Sequence, residues 1–144
     1  MGTKRFMQIF VGCFVIAASF LGFVIEAKAE TLATSAEKIF GTWVTSSCWA
    51  GTCYMRFDKD GTMREAFAPD KLDSQPYAIN SYEFKGTKIF LTEVRVVGVP
   101  PCGPAIVGTY EIHLLESGNI RIVAINDQCG GRTADMQNEY KPVR

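Results

Sequence analysis

Residues 53–67 read CYMRFDKDGTMREAF, two β-prone runs separated by Asp58-Lys59-Asp60-Gly61. Asp-Gly between two such runs is the strongest short-range signal for a β-hairpin, because glycine supplies the positive φ that a tight turn requires. The stretch therefore predicts two antiparallel strands, at residues 53–57 and 62–67.

The same pattern of short β-rich runs and turn residues continues on both sides of this hairpin. A polar segment at 31–38 predicts one or two helical turns, and prolines mark the loops that contain Pro69, Pro76 and residues 98–104. Most connections have hairpin length, so the strands should be antiparallel neighbours in up-and-down order. We predict an all-β fold of about eight strands, a lipocalin-like barrel with a β-sandwich as the alternative. Further strands are predicted at 42–47, 77–84, 88–97, 106–115, 120–126 and, weakly, 135–141.

The N-terminus differs in composition from the rest of the chain. Lys4 and Arg5 precede an apolar run at residues 9–25, and Ala27-Lys28-Ala29 follows it. This pattern predicts a signal peptide, residues 1–29, cleaved after Ala29, and a secreted or periplasmic domain at 30–144. Because the apolar run is near the shortest length that spans a bilayer, an uncleaved single-pass membrane anchor is the alternative, with the domain outside the cytoplasm.

The predicted mature chain has the size of one domain and can bury a substantial core. Residues 30–144 contain 12 basic and 14 acidic side chains, a net charge of −2, with both signs scattered along the sequence. Such a chain has no basic surface to attract a polyanion, so we expect no nucleic-acid partner.

Four cysteines lie in the predicted mature chain, Cys48, Cys53, Cys102 and Cys129. An even number in a small exported domain indicates two disulfides. A zinc site is the alternative, but no C-x2-C pair is present, so we expect no metal. Of the three connectivities, the preferred one joins 48 to 53 and 102 to 129, because each bridge then stays within one predicted hairpin.

Two short motifs resemble those of lipocalins. Gly41-Thr42-Trp43 on the first predicted strand is similar to the G-x-W motif, whose tryptophan packs across the barrel floor. Arg132 follows the last strong strand, where lipocalins carry an arginine stacked on that tryptophan. Residues 108–132 also look like a hairpin motif of small exported bacterial lipocalin-like proteins. The resemblance implies that Gly41, Trp43 and Arg132 close the barrel, but the chain is short and has no room for the long helix after residue 126.

The resemblance implies a non-catalytic binding protein for a small apolar or amphipathic ligand, without a cofactor. The alternative is a protein-interaction or inhibitor module with a filled barrel, which presents the loop 98–104 and Trp49 as an exposed anchor to a protein partner. His113 is the only histidine, and neither a nucleophile elbow nor a phosphate-binding glycine loop is present. We therefore expect no enzymatic activity.

Overall fold

The computed structural model describes residues 29–144. The predicted signal segment, with its apolar run at 9–25, lies outside the described residues apart from Ala29. Nine strands and a few short helical turns make up the described chain. The strands are β1 (Thr31–Leu32), β2 (Gly41–Cys48), β3 (Gly51–Phe57), β4 (Thr62–Ala66), β5 (Ala78–Lys85), β6 (Lys88–Val96), β7 (Val107–Leu114), β8 (Ile120–Asn126) and β9 (Glu139–Pro142). The helices are α1 (Lys71–Ser74), α2 (Gly130–Met136) and a 3-10 turn at Ala36–Lys38.

Strands β2 to β9 form a closed antiparallel barrel of eight strands. Each pairs with its neighbour in the sequence, and β9 closes the barrel by lying between β8 and β2, with Ile120 opposite Tyr140 and Val44 opposite Lys141. The all-β, up-and-down barrel is confirmed, and the sandwich alternative is excluded. β1 lies outside the barrel, on the end of β7.

The hairpin predicted from residues 53–67 is formed by β3 and β4. The N–H of Asp58 donates to the carbonyl of Thr62 at 2.8 Å, and Gly61 has a φ of +81°. Arg56 and Arg64 both pair with the Asp58 carboxylate, and Arg56 also binds Asp73 on α1. These ion pairs therefore link the two strands of the hairpin to each other and to the following loop on the outer face of the barrel.

One apolar core fills the lower half of the barrel, the half that contains Trp43 near the start of β2. Alternate residues of each strand point inward, as the period of two requires. Trp43 belongs to this core, and its indole N–H donates to the carbonyl of Ile39 at 2.8 Å. The fully buried members include Met55, Phe57, Met63, Ile89, Leu91, Tyr110, Ile112, Ile120 and Met136.

Helix α2 is the main departure from the predicted elements. The sequence predicts a weak strand over 135–141 and excludes only a long helix after residue 126, whereas the chain forms a short helix to Met136 and is extended only over β9. Two glycines at its start make this segment a poor helix former. Tertiary packing holds it instead, since Met136 is fully buried in the core and Arg132 is buried beside β8.

Smaller departures occur at two predicted loops. Within the expected helical segment at 31–38, residues 31–32 instead form β1, and the helical turn is confined to Ala36–Lys38. The proline loop before β5 contains α1, whose Leu72 is buried. None of the helices in residues 29–144 is long or apolar enough to cross a membrane.

Both preferred cysteine pairs are confirmed. Cys48 pairs with Cys53 across the β2–β3 turn, and Cys102 pairs with Cys129, which joins the β6–β7 loop to the start of α2. Both disulfides lie at the same end of the barrel, which we call the open end. The connections β2–β3, β4–β5, β6–β7 and β8–β9 all meet there.

Candidate functional site

A cleft of about 490 Å³ occupies the open end of the barrel, above the filled core. We call it the open-end cleft. Its walls are mostly apolar and come from the β2–β3 turn, the ends of β4 and β6, the start of β5, the β6–β7 loop and α2. Polar side chains form its floor, and the most buried of these are Glu65 on β4, Asn80 on β5 and Arg132 on α2.

Glu65 lies on the inner face of β4. It is two residues from the fully buried Met63, so the alternation of the strand directs both side chains into the barrel. Glu65 is only 6% exposed, and burial raises the pKa of its carboxyl to about 7. The charge of Asp135 acts in the same direction, while the Tyr77 hydroxyl and the positive Arg132 act against it.

Asn80 is the most buried polar residue of the cleft. It lies on β5 opposite Met63 on one side and Glu93 on the other, and it is 3% exposed. Its side-chain amide makes no hydrogen bond to any other residue of the chain from 29 to 144. Polar groups of residues this buried are normally paired. Because the Asn80 amide is not among the fully enclosed polar atoms, it keeps contact with the space of the cleft.

Arg132 is held by a buried carboxylate. Its Nε and Nη2 donate to Asp127 at 2.7 and 2.9 Å, and Nη2 also donates to the carbonyl of Ile106 at 2.9 Å. The Tyr110 hydroxyl donates to the same carboxylate. Burial alone would raise the pKa of Asp127, but the hydrogen bonds from Arg132 and Tyr110 outweigh it and hold that pKa below its usual range. Nη1 of Arg132 is buried and has no acceptor within residues 29–144.

Two further carboxylates line the cleft. Glu93 accepts hydrogen bonds from the backbone N–H groups of Cys102 and Gly103 at 3.0 and 3.1 Å, and so fixes the proline-rich β6–β7 loop over the cleft. Burial raises the pKa of Asp135, which accepts a long hydrogen bond of 3.4 Å from the backbone N–H of Trp49.

An aromatic cluster stands at the mouth of the cleft. Trp49, 59% exposed, meets Phe67 and Tyr77 edge-on, with ring centroids 5.3 and 6.2 Å apart. Phe67 and Tyr77 are stacked, with centroids 4.6 Å apart. We call these three residues the aromatic rim. Trp49 lies in the β2–β3 turn that the Cys48–Cys53 disulfide closes, and this disulfide packs against Tyr77.

The residues taken from the lipocalin resemblance lie in two places. Gly41 and Trp43 are on β2, where Trp43 enters the main core. Arg132 lines the open-end cleft, and its hydrogen-bond partners are Asp127 and Ile106. Their role in closing the barrel stays a prediction, as does the role of Trp49 as an anchor. His113 is on β7, 3.3 Å from Glu30, and does not line the cleft.

The sequence did not indicate Glu65, Asn80 and Asp135 as cleft residues, nor Asp127 as the partner of Arg132. A signal existed for Glu65, because the period of two in the predicted strand at 62–67 places it on the same face as Met63. A charged residue at an inward position of a barrel is a marked exception to binary patterning. Asp127 and Asp135 gave no comparable signal, since Asp127 precedes and Asp135 lies within a helix that the sequence did not predict.

No protein-family model matches the chain, and no curated protein and no solved structure is significantly similar to it. The cleft must therefore be interpreted from its own geometry.

Proposed function

We propose that this protein is an exported lipocalin-like binding protein that holds a small apolar or amphipathic molecule in the open-end cleft and does not alter it chemically. The observation that carries the proposal is Asn80 on the floor of a cleft with mostly apolar walls, a residue 3% exposed whose amide has no hydrogen-bond partner among residues 29–144. Binding sites for small molecules have this composition, with an apolar lining and a few polar groups that fix orientation.

The size of the cleft supports this proposal. A volume of about 490 Å³ lies within the range of roughly 300–1,000 Å³ that small-molecule sites occupy. The main core below it is filled, so the ligand would sit in the upper half of the barrel and reach the solvent beside the aromatic rim. A molecule with an apolar body and one polar end matches a cleft that has apolar walls and a polar floor.

Two features support export. The domain contains two disulfides, and disulfides form and persist in oxidising compartments. The sequence of residues 1–29 has the pattern of a secretory signal. A secreted or periplasmic location follows from the proposal, with a membrane anchor through residues 9–25 as the alternative.

Native mass spectrometry of the protein, produced with its own leader and purified without detergent, tests the proposal. We expect an adduct that is lost on denaturation. Ala134→Trp should remove it, because Ala134 is an exposed residue of the cleft wall and an indole there fills the space. Ala105→Trp is the matched control, since Ala105 is exposed but does not line the cleft. An adduct that survives in Ala134→Trp would contradict the proposal.

A protein-interaction module is the second candidate, and the exposure of the aromatic rim favours it. Trp49 and Phe67 are 59% and 47% exposed, and tryptophan is enriched among the residues that dominate protein interfaces. The two candidates separate cleanly. If the native protein carries no adduct and binds none of the small amphiphiles offered to it, the interaction module becomes the better account.

A further inference from the structure

The charge of the open-end cleft is one-sided. Three carboxylates line it, Glu65, Glu93 and Asp135, and none of them forms an ion pair within residues 29–144. Arg132 is the one basic residue of the lining, and the buried carboxylate of Asp127 compensates its charge. The cleft therefore presents excess negative charge to whatever enters it.

Glu65 is the most buried of these carboxylates, and the negative charge of the cleft affects its pKa. The pKa of Glu65 is raised by burial first and by Asp135 second, and the opposing effects of the Tyr77 hydroxyl and of Arg132 do not cancel this rise. The titratable and charged groups that face Glu65 are Tyr77 before β5, Tyr140 on β9, Asp135 and Arg132 on α2, and Glu93 on β6.

A second observation, independent of the acidic residues, also indicates a ligand. Asn80 is only 3% exposed and lines the cleft, and its amide has no hydrogen-bond partner within the described chain. Its carbonyl oxygen can accept a hydrogen bond beside the Glu65 carboxylate, since both residues project inward from neighbouring strands. Carboxylate and amide oxygens together suit a donor that carries positive charge.

The lining distinguishes an organic cation from a metal ion. In residues 29–144 no three His, Cys, Asp or Glu side chains are grouped to hold a metal. The walls around the carboxylates are apolar, and Tyr77 of the aromatic rim lines the cleft with Trp49. Aromatic faces attract ammonium groups and also pack against hydrocarbon, so both parts of an alkyl ammonium ion find a matching surface.

We infer that the ligand of the open-end cleft is a small amphipathic amine, bound as a cation with its ammonium group between Glu65 and Asn80 and its apolar part against Trp49 and Tyr77. This inference rests on the proposed function and names its ligand class. The buried Nη1 of Arg132 is the one feature that suits an anion, and the experiment below separates the two charges.

Three probes with the same eight-carbon tail test the inference, namely octylamine, 1-octanol and octanoate, titrated by calorimetry at pH 8 in low salt. Octylamine is cationic at this pH, as a lysine side chain is. A charge-assisted hydrogen bond to Glu65 should make octylamine bind about tenfold or more tightly than octanol, and octanoate should bind most weakly. At pH 6 the preference for octylamine should shrink, because Glu65 is then mostly protonated, while octanol binding should not change.

Two variants locate the effect. Glu65→Gln should bring the dissociation constant of octylamine close to that of octanol and leave octanol binding intact, which also shows that the variant is folded. Glu116→Gln is the control, because Glu116 is an exposed residue of the β7–β8 turn at the other end of the barrel. It should keep the full preference for octylamine.

Equal binding of octylamine and octanol, or tightest binding of octanoate, would overturn the inference of a cationic ligand and leave the proposed binding function standing. A preference for octylamine that persists in Glu65→Gln would also overturn it. If none of the three probes binds and the native protein carries no adduct, the proposed function fails together with the inference.

Discussion

Arg132 and Asp127 form a buried ion pair beneath the open-end cleft, with Nε and Nη2 at 2.7 and 2.9 Å from the two carboxylate oxygens. The Asp127 side chain has no exposed surface. This pairing explains why the cleft stays acidic although an arginine lines it. The Asp127 carboxylate already neutralises the positive charge of Arg132.

The first prediction concerns this pair. Asp127→Asn should lower the free energy of unfolding by about 3 kcal/mol, because it leaves the guanidinium charge buried without a counter-charge. Asp73→Asn is the control. Asp73 binds Arg56 on the surface and its side chain is 74% exposed, so its loss should change stability by less than about 1 kcal/mol. Urea denaturation measures both, and equal effects would contradict the account.

A glycine beside the ion pair gives the second prediction. A Cβ added to Gly108 would lie 2.7 Å from a ring carbon of Tyr110 and would also collide with the Asp127 carboxylate. Gly108→Ala should therefore destabilise the protein by about 1–3 kcal/mol. In α2 a Cβ added at Gly131 meets no atom within 4 Å, and Gly131→Ala should raise stability by about 0.5 kcal/mol. Thermal unfolding of the two alanine variants should move in opposite directions.

The third prediction concerns pH. Because burial raises the pKa of Glu65 to about 7, above its usual value of 4.5, the folded state holds a proton that the unfolded state releases between these values. The contribution of Glu65 to stability is therefore present below about pH 4.5 and is lost as the pH rises through 7. At pH 8 the buried charge should destabilise the protein by at most about 3 kcal/mol.

Glu65→Gln removes this charge and measures the effect. The variant should unfold at a temperature several degrees higher than the parent at pH 8, and the difference should be smaller at pH 5. Glu116→Gln, whose parent residue is exposed, should show no such gain. A loss of stability in Glu65→Gln at pH 8 would mean that the carboxylate stabilises the unliganded fold rather than being held for a ligand.

The two disulfides should contribute unequally. The Cys102–Cys129 bridge closes a loop of 27 residues and the Cys48–Cys53 bridge one of 5. On chain-entropy grounds, removing the first by a double alanine substitution should cost about 3.5 kcal/mol and removing the second about 2 kcal/mol. Urea denaturation of the two double variants checks the order, and a larger loss at Cys48–Cys53 would contradict it.

The β-hairpins were predictable because their signals are local. Asp60-Gly61 and Ser117-Gly118 mark turns that short-range chemistry determines, and the flanking residues alternate as strands do. The cysteine pairing followed from the hairpins, since each bridge stays within one of them. Helix α2 was not predictable in this way, because Met136 and Arg132 hold it by long-range contacts that override its weak helical propensity.

The candidate site was predictable only in outline. The barrel followed from strand order and from the resemblance at Gly41 and Trp43, with a ligand cavity and a filled interior left as alternatives. The polar floor did not, because Asn80 becomes exceptional only when neighbouring strands show that its amide has no partner. The charge of the cleft depends on which carboxylate neutralises Arg132, and that is a property of the folded chain.

The central claim is that a small amphipathic molecule occupies the open-end cleft. The most direct measurement is a ¹H–¹⁵N NMR titration of the protein with octylamine at pH 8, which follows the side-chain amide of Asn80 and the two indole N–H groups. We expect the Asn80 amide and the Trp49 indole to shift together and saturate, while the Trp43 indole and the Asn119 amide at the other end stay fixed. Saturable shifts at Trp43 or Asn119 with none at Asn80 would contradict the account.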